Sequence, residues 1–325
     1  MKNISIMKMI KTRRAAIQDL PSLVEINKSD VEEWHHFSRG GRGAAASYDE
    51  LTGWERVVHG GPWEDLHALR RHWPHMERVG IICLVAELDG MVVGHLDVIP
   101  TRELGLGDYL FLDVFMVHRS YRRRGVGTAL LRAAEALAAE ESLPRLVVMT
   151  DYNEAGGLTY RSYRFEPFHE LCALEAEIGS PSVPTGVMIT DPPLEPPLDS
   201  HRMVCGWWNT STKNWMGSFE HDEYELMLDW KKVLLGLDTG SGVTYFKLAS
   251  GYPARPPFGL CMWTPPDTDA ATLSKAVQAA RSVARSMGAE ALTTIALEKD
   301  RGLLEAAGFT YKRRCDPLLH KELGI

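Results

Sequence analysis

Cysteine is scarce and unpatterned in this chain of 325 residues: Cys83, Cys172, Cys205, Cys261 and Cys315 are odd in number and far apart. That spacing gives neither a disulfide framework nor a zinc-binding pair, and most of the five lie in apolar runs, as reduced, buried thiols of a cytosolic protein do. No apolar stretch is long enough to cross a bilayer. Near the amino end Lys2, Lys8 and Lys11 interrupt the apolar sequence, so neither a secretory leader nor a membrane partner is expected, and the expected location is the cytoplasm. A basic excess is missing as well. Lys and Arg number 36 against 43 Asp and Glu, a formal charge of −7. A nucleic-acid partner would call for a basic surface, whereas a net negative protein mildly favours a basic small molecule. Hydrophobic content of 45% with 24% charged residues excludes a disordered chain. The length suits two cores of about 150 residues better than one.

The lysine of a Walker loop is also absent, because Thr128 follows Gly127 directly and no Gly-Lys-Ser/Thr occurs. What stands there instead is Val114-Phe-Met-Val-His-Arg-Ser-Tyr-Arg-Arg-Arg-Gly-Val-Gly-Thr-Ala-Leu-Leu131. An apolar strand enters, a basic loop turns at Gly125 and Gly127, and Thr128 to about Glu141 reads as a helix with Leu130, Ala133, Ala134 and Leu137 on one face. The first turn of a helix has unpartnered amides and a partial positive charge. Glycines let a diphosphate approach those amides, and Arg122, Arg123 and Arg124 add charge around the same point. A strand-to-helix turn with a solvated basic run would look alike.

Arg122-x-x-Gly125-x-Gly127, with Val117 ending the strand before it and Ala-Leu-Leu after it, resembles the acyl-CoA pyrophosphate loop of the GNAT superfamily of N-acetyltransferases. The likeness continues through the strand Arg145–Thr150, Asn153, a short helix with Tyr160, and Phe165; the family has a Gly before that Phe, where this chain has Arg164. Upstream, Ile10–Ile26 resembles the family's opening strand and first helix, with Asp19 as N-cap and Leu20, Leu23, Val24 and Ile26 as its buried stripe. Ile81–Leu88, the turn Asp89-Gly90 and Met91–Ile99 read as a hairpin. The resemblance covers roughly residues 8 to 170.

It implies a mixed α/β sheet and acetyl-CoA as cosubstrate, with no metal. The loop Arg122, Arg123, Arg124, Gly125, Val126, Gly127 and Thr128 would hold the pyrophosphate. The backbone of Phe115, Met116 and Val117 would pair with the pantetheine amides, and Asn153 would bond the same arm. Tyr160 would be the general acid, with Tyr163 as fallback, and Asp113 a base or substrate anchor. Packing roles would account for the same residues: a tyrosine seating a helix, a strand carboxylate, a helix cap.

Gly179–Pro197 is rich in proline and reads as a linker with one embedded short strand. Beyond it, Phe258–Trp263, Asp269–Met287, Ala291–Leu297, Lys299–Ala307 and Phe309–Arg313 repeat the strand and helix order of Leu112 to Phe165. The reading is therefore two tandem acyl-CoA N-acyltransferase-like domains: residues 1–178 catalytic, 179–198 linker, 199–325 degenerate. In the second copy Asp267 and Asp269 stand where the first has arginines and glycines; they suit a helix cap and would repel a phosphate.

Residues 31–80 carry Trp34, Trp54, Trp63 and Trp73 with His35, His36, His59, His67, His72 and His75. In the family this region walls the acceptor, and tryptophan can stack on a cation, although core filling would use the same residues. His67, His72 and His75 match no strong zinc pattern and read as surface residues. Trp207, Trp208 and Trp215 would border the same cleft or seal the two halves. Acetylation of a small, cationic amine by a monomer or homodimer is the expectation; alternatives are a protein or peptide N-acetyltransferase and a non-catalytic acyl-CoA sensor.

Overall fold

The computed structural model describes residues 10–38, 41–150, 155–179, 184–219, 230–240, 242–251 and 255–324. The first half opens with β1 (Lys11–Arg14) and α1 (Leu20–Lys28), followed by a hairpin of β2 (His35–Ser38) and β3 (Gly41–Ala45). Helices α2 (Gly53–Gly60) and α3 (Leu66–Arg78) come next, then β4 (Ile82–Leu88), β5 (Met91–Glu103), β6 (Gly107–Val117), α4 (Val126–Glu140), β7 (Arg145–Met149), α5 (Ala155–Ser162) and β8 (Glu166–Glu177). The second half has β9 (Met188–Thr190), β10 (Arg202–Cys205), α6 (Ser211–Met216), β11 (Lys232–Asp238), β12 (Val243–Gly251) and β13 (Arg255–Thr264). It ends with α7 (Ala270–Ser286), β14 (Ala291–Leu297), α8 (Arg301–Ala306) and β15 (Thr310–Glu322).

Local chemistry accounts for the punctuation. Asp89 and Gly90 both have positive φ, 55° and 80°, as a tight turn between β4 and β5 demands. Asp19 differs from expectation. It closes a 3₁₀ turn and already has helical dihedrals, so its carboxylate makes no cap bond to α1. It accepts instead from the Ala16 amide at 2.8 Å and from Arg13 at 2.6 and 2.9 Å. Arg164 takes φ 67° at the turn into β8, and Gly308 takes φ 98° at the matching turn into β15. The backbone there is left-handed, which explains why glycine suits the position and why an arginine is strained in it.

The two halves share one mixed sheet. Its order among the described residues is β1-β4-β5-β6-β7-β15-β8-β14-β10-β13-β12-β11-β9. Outward from the centre the pairings mirror each other: β6 and β7 are parallel, as are β13 and β14, and the flanking pairs are antiparallel. At the centre the chain exchanges strands. The last strand of the second half, β15, lies between β7 and β8, with Leu318 opposite Met149 and Thr310 opposite Glu175. The last strand of the first half, β8, lies between β15 and β14, with Leu171 opposite Leu297. A cut near residue 178 therefore divides the sequence but not the sheet.

One apolar cluster likewise joins both halves, from Leu20, Ile26, Val85 and Ile99 to Met203, Trp207, Trp215 and Trp263. Trp207 and Trp215 are buried in it, so they seal the halves together. His72 and His75, expected at the surface, are buried too, because α3 turns them inward toward Trp63 while His67 stays exposed.

Candidate active site

The site begins where β6 leaves β7. The parallel pairing runs only from Leu110 opposite Leu146 to Leu112 opposite Val148. Asp113 and Val114 form a bulge, two residues opposite Asp97 alone, between the pairs Leu112–Val98 and Phe115–Leu96. Beyond it Phe115, Met116 and Val117 pair with β5, and among the described residues no strand takes their other side. The result is a slot between β6 and β7 whose β6 wall has no strand neighbour among the described residues, although the Val117 carbonyl on it accepts from Arg122.

The slot leads to the start of α4. Gly125 is the N-cap at φ 86°, so the amides of Val126, Gly127 and Thr128 lie in the first turn, where the helix has no acceptor for them. A Cβ on Gly127 would come within 3.1 Å of the Phe115 ring. This glycine-lined helix end suits a diphosphate. The three arginines divide their work. Arg122 is committed within the protein: its Nε donates to the Val117 carbonyl at 3.1 Å and its guanidinium pairs with Asp30, which ties the loop to the end of α1. Arg124 lies over the Tyr121 ring at 5.2 Å, and Arg123 and Arg124 are exposed beside the helix end.

Tyr160 projects from α5 into the inner end of this region and is 5% exposed. Its ring packs on Phe115 at 5.9 Å and Phe165 at 5.2 Å. Burial, and then the negative charge of Asp113, raise its proton affinity, so it stays a neutral phenol. Tyr163 is pushed up to about 12 by burial and by donating to Glu135 at 2.9 Å. That bond turns it away from a role as alternative donor. Asn153 lies outside the described residues.

Asp113 does not stand alone. The Lys213 ammonium on α6 meets its carboxylate at 2.5 Å, and the two side chains are 23% and 17% exposed. Nothing in the sequence links these positions, which are 100 residues apart. At the end of β5, Glu103 is buried, and burial pushes it up to about 8 although it accepts from the Ser211 amide at 2.8 Å and the Tyr109 hydroxyl at 3.3 Å.

Cys83, His95 and Asp97 form a second buried group, with potential ligand atoms within 4.8 Å of one another. The Asn27 side-chain nitrogen donates both to the Leu23 carbonyl and to His95 Nε2, at 2.8 and 2.9 Å. This assigns the His95 proton to Nδ1, which faces Asp97 at 3.6 Å. A metal at that nitrogen would need the other tautomer.

The splayed mixed sheet beside a glycine-capped helix sets the frame for the comparison with known proteins. Residues 48–161 match the acetyltransferase (GNAT) family, and the chain carries a GNAT acetyltransferase domain. The GCN5-related N-acetyltransferase of Anabaena variabilis has a similar fold, with a TM-score of 0.59 and 13% identity over 97% of this chain and 73% of that one. A tandem GNAT protein from the clavulanic acid biosynthesis pathway aligns over 98% of this chain and 99% of its own at 12% identity, with a TM-score of 0.50. The GCN5-related N-acetyltransferase of Kribbella flavida gives 0.55 at 11% identity, over 98% of this chain and 72% of that one. No curated protein sequence matches the chain. The family uses acetyl-CoA, and the fold is the tandem one anticipated from the repeat. Among the described residues no helix is long and apolar enough to cross a membrane.

The junction between halves gives a pH prediction. Folded Glu103 holds its proton up to about pH 8, whereas in the unfolded chain it releases it at the ordinary carboxyl value. Between these limits the folded state binds more protons, so this group's contribution to stability falls as pH rises from about 4.5 to about 8. Glu103→Gln keeps a neutral acceptor there. Its melting temperature should gain steadily on wild type from pH 5 to pH 8.5; a constant difference across that range would refute the buried, protonated carboxyl.

Proposed function

We propose that the first half transfers the acetyl group of acetyl-CoA to the amine of a small molecule, and that it alone binds the cofactor. The observation that carries this reading is the open slot between β6 and β7, which runs from the buried Tyr160 to the free amides at the start of α4. Residues Phe115 to Val117 would pair with the pantetheine amides as an added strand does. The amides of Val126, Gly127 and Thr128, with Arg123 and Arg124, would take the pyrophosphate.

Acetyl-CoA supplies an activated acyl carbon. The chain's own residues then have two tasks. Tyr160 holds a proton, at a position suited to a departing thiolate. Asp113, held by Lys213, offers an ionic group beside the phenol. Because that carboxylate already has a cation, an ammonium acceptor would share it with Lys213. The case for a cationic acceptor rests on the charge of −7 and on aromatic residues 31–80.

In the second half the equivalent slot is not open, because β10 pairs with both β13 and β14. Asp269 caps α7 by accepting from the Thr272 amide at 2.7 Å, in place of a glycine cap. Calorimetry with coenzyme A is expected to give one site per chain, and a broad screen of amines that follows thiol release is expected to find a small acceptor. Two equal sites, or cofactor binding with no amine turned over, would refute the reading.

A further inference from the structure

The two halves treat the same splay differently. In the second, β13 and β14 pair only at Phe258–Leu292 and Gly259–Thr293 before diverging, as β6 and β7 do. Here the chain fills its own slot. Strand β10 enters it, with Arg202 opposite Thr264, Met203 opposite Trp263 and Cys205 opposite Met262 on one side and Ala296 on the other. The amides of Gly206 and Trp207 both donate to the Ile295 carbonyl, at 2.7 and 3.1 Å. Gly206 has φ 113°, and a Cβ there would come within 2.7 Å of Cys261, so the strand is seated tightly.

The strand leads directly into α6, six residues long and too short to persist alone. Buried contacts hold it. Thr210 caps it by accepting from the Lys213 amide, Ser211 binds Glu103 of the first half and accepts from Trp263 Nε1 at 2.5 Å, and Asn214 donates to the Gly206 carbonyl at 3.0 Å. Trp215 is fully buried against Trp263 and Tyr245. What this helix presents to the first half's slot is Lys213, on the carboxylate of the β6 bulge. An exposed ion pair contributes little and needs no such support; this one is half-buried, short, and built from both halves.

We propose that Lys213 is a positioning residue for acyl transfer in the first half, fixing the Asp113 carboxylate beside Tyr160, and that the self-filled slot of the second half serves to hold it there. The proposal rests on the acetyltransferase reading above. It gives the degenerate half a function: a scaffold that completes the other half's site.

The test uses the full chain with acetyl-CoA and the best amine from the screen. Lys213→Met should lower kcat at least tenfold at a temperature where the variant remains fully folded, with coenzyme A affinity within twofold of wild type, although loss of the half-buried pair lowers its melting temperature. Lys213→Arg should restore most of the rate. Adding Asp113→Asn to Lys213→Met should cost less than the product of the two single losses, since both remove one interaction. A Lys213→Met variant with wild-type kcat, additive losses, or a rate that falls only in step with stability would overturn the proposal while leaving the acetyltransferase reading intact. A wild-type chain that binds coenzyme A but acetylates no amine would overturn both.

Discussion

Gly127→Glu should abolish binding of coenzyme A. The position is tight, because a Cβ would stand 3.1 Å from the tip of the Phe115 ring, which would have to give slightly, and Phe115 belongs to the wall of the slot. A longer side chain must displace that ring or point out into the cradle. There it would set a negative charge among the first-turn amides of α4, where the macrodipole favours the phosphate. Glu in the first turn of a helix is otherwise well tolerated, so the variant should fold and melt near wild type while losing at least a hundredfold in affinity. Calorimetry showing wild-type affinity would remove the loop from the cofactor site. Gly125→Ala is the milder companion: its cost is backbone strain at φ 86°, and its loss should appear in stability as well.

The second large effect is expected from Tyr160→Phe. Its ring contacts with Phe115 and Phe165 survive the change, and only the hydroxyl is lost. If that hydroxyl protonates the leaving thiolate, turnover should fall about 10²- to 10⁴-fold with little change in cofactor affinity. Neutrality of the phenol is secured by burial and by the neighbouring carboxylate, so between pH 6 and 9 the wild-type rate should show no limb from Tyr160 ionisation. Tyr163 is poorly placed to substitute, since its hydroxyl is spent on Glu135. An unchanged rate at saturating acceptor would send the proton elsewhere, through water or the acceptor itself.

Much of this was legible locally. The glycine pair before an Ala/Leu-rich helix foretold α4 and its capped start, observed at Val126–Glu140 with Gly125 left-handed. Asp89-Gly90 foretold a hairpin, and the repeated strand and helix order foretold β13, α7 and β14, found within three residues of the expected limits. These signals are periodicities and backbone constraints, carried by neighbours in sequence. What stayed hidden depends on partners far along the chain. The strand exchange leaves no mark on β8 or β15, because a strand does not encode which edge it joins. Nor does Lys213, in a polar Thr-Ser-Thr-Lys-Asn run, reveal that it will meet Asp113. His72 and His75 misled for a related reason: histidine composition says surface, and only the packing of α3 turns them inward.

The exchanged strands also decide when the protein can fold. A ribosome delivers roughly 5–20 residues each second, and most two-part chains let the leading unit close while the rest is still being made. Here the leading unit has to wait. Its sheet is interrupted between β7 and β8 until Thr310–Glu322 arrives, more than 130 residues after β8 has been made. Until then two strand edges stand unpaired, each a template for a neighbouring chain. A stop codon after residue 309 would remove β15 and leave both halves open, so inclusion bodies, rather than a soluble amino-terminal fragment, are the expected product of such a message.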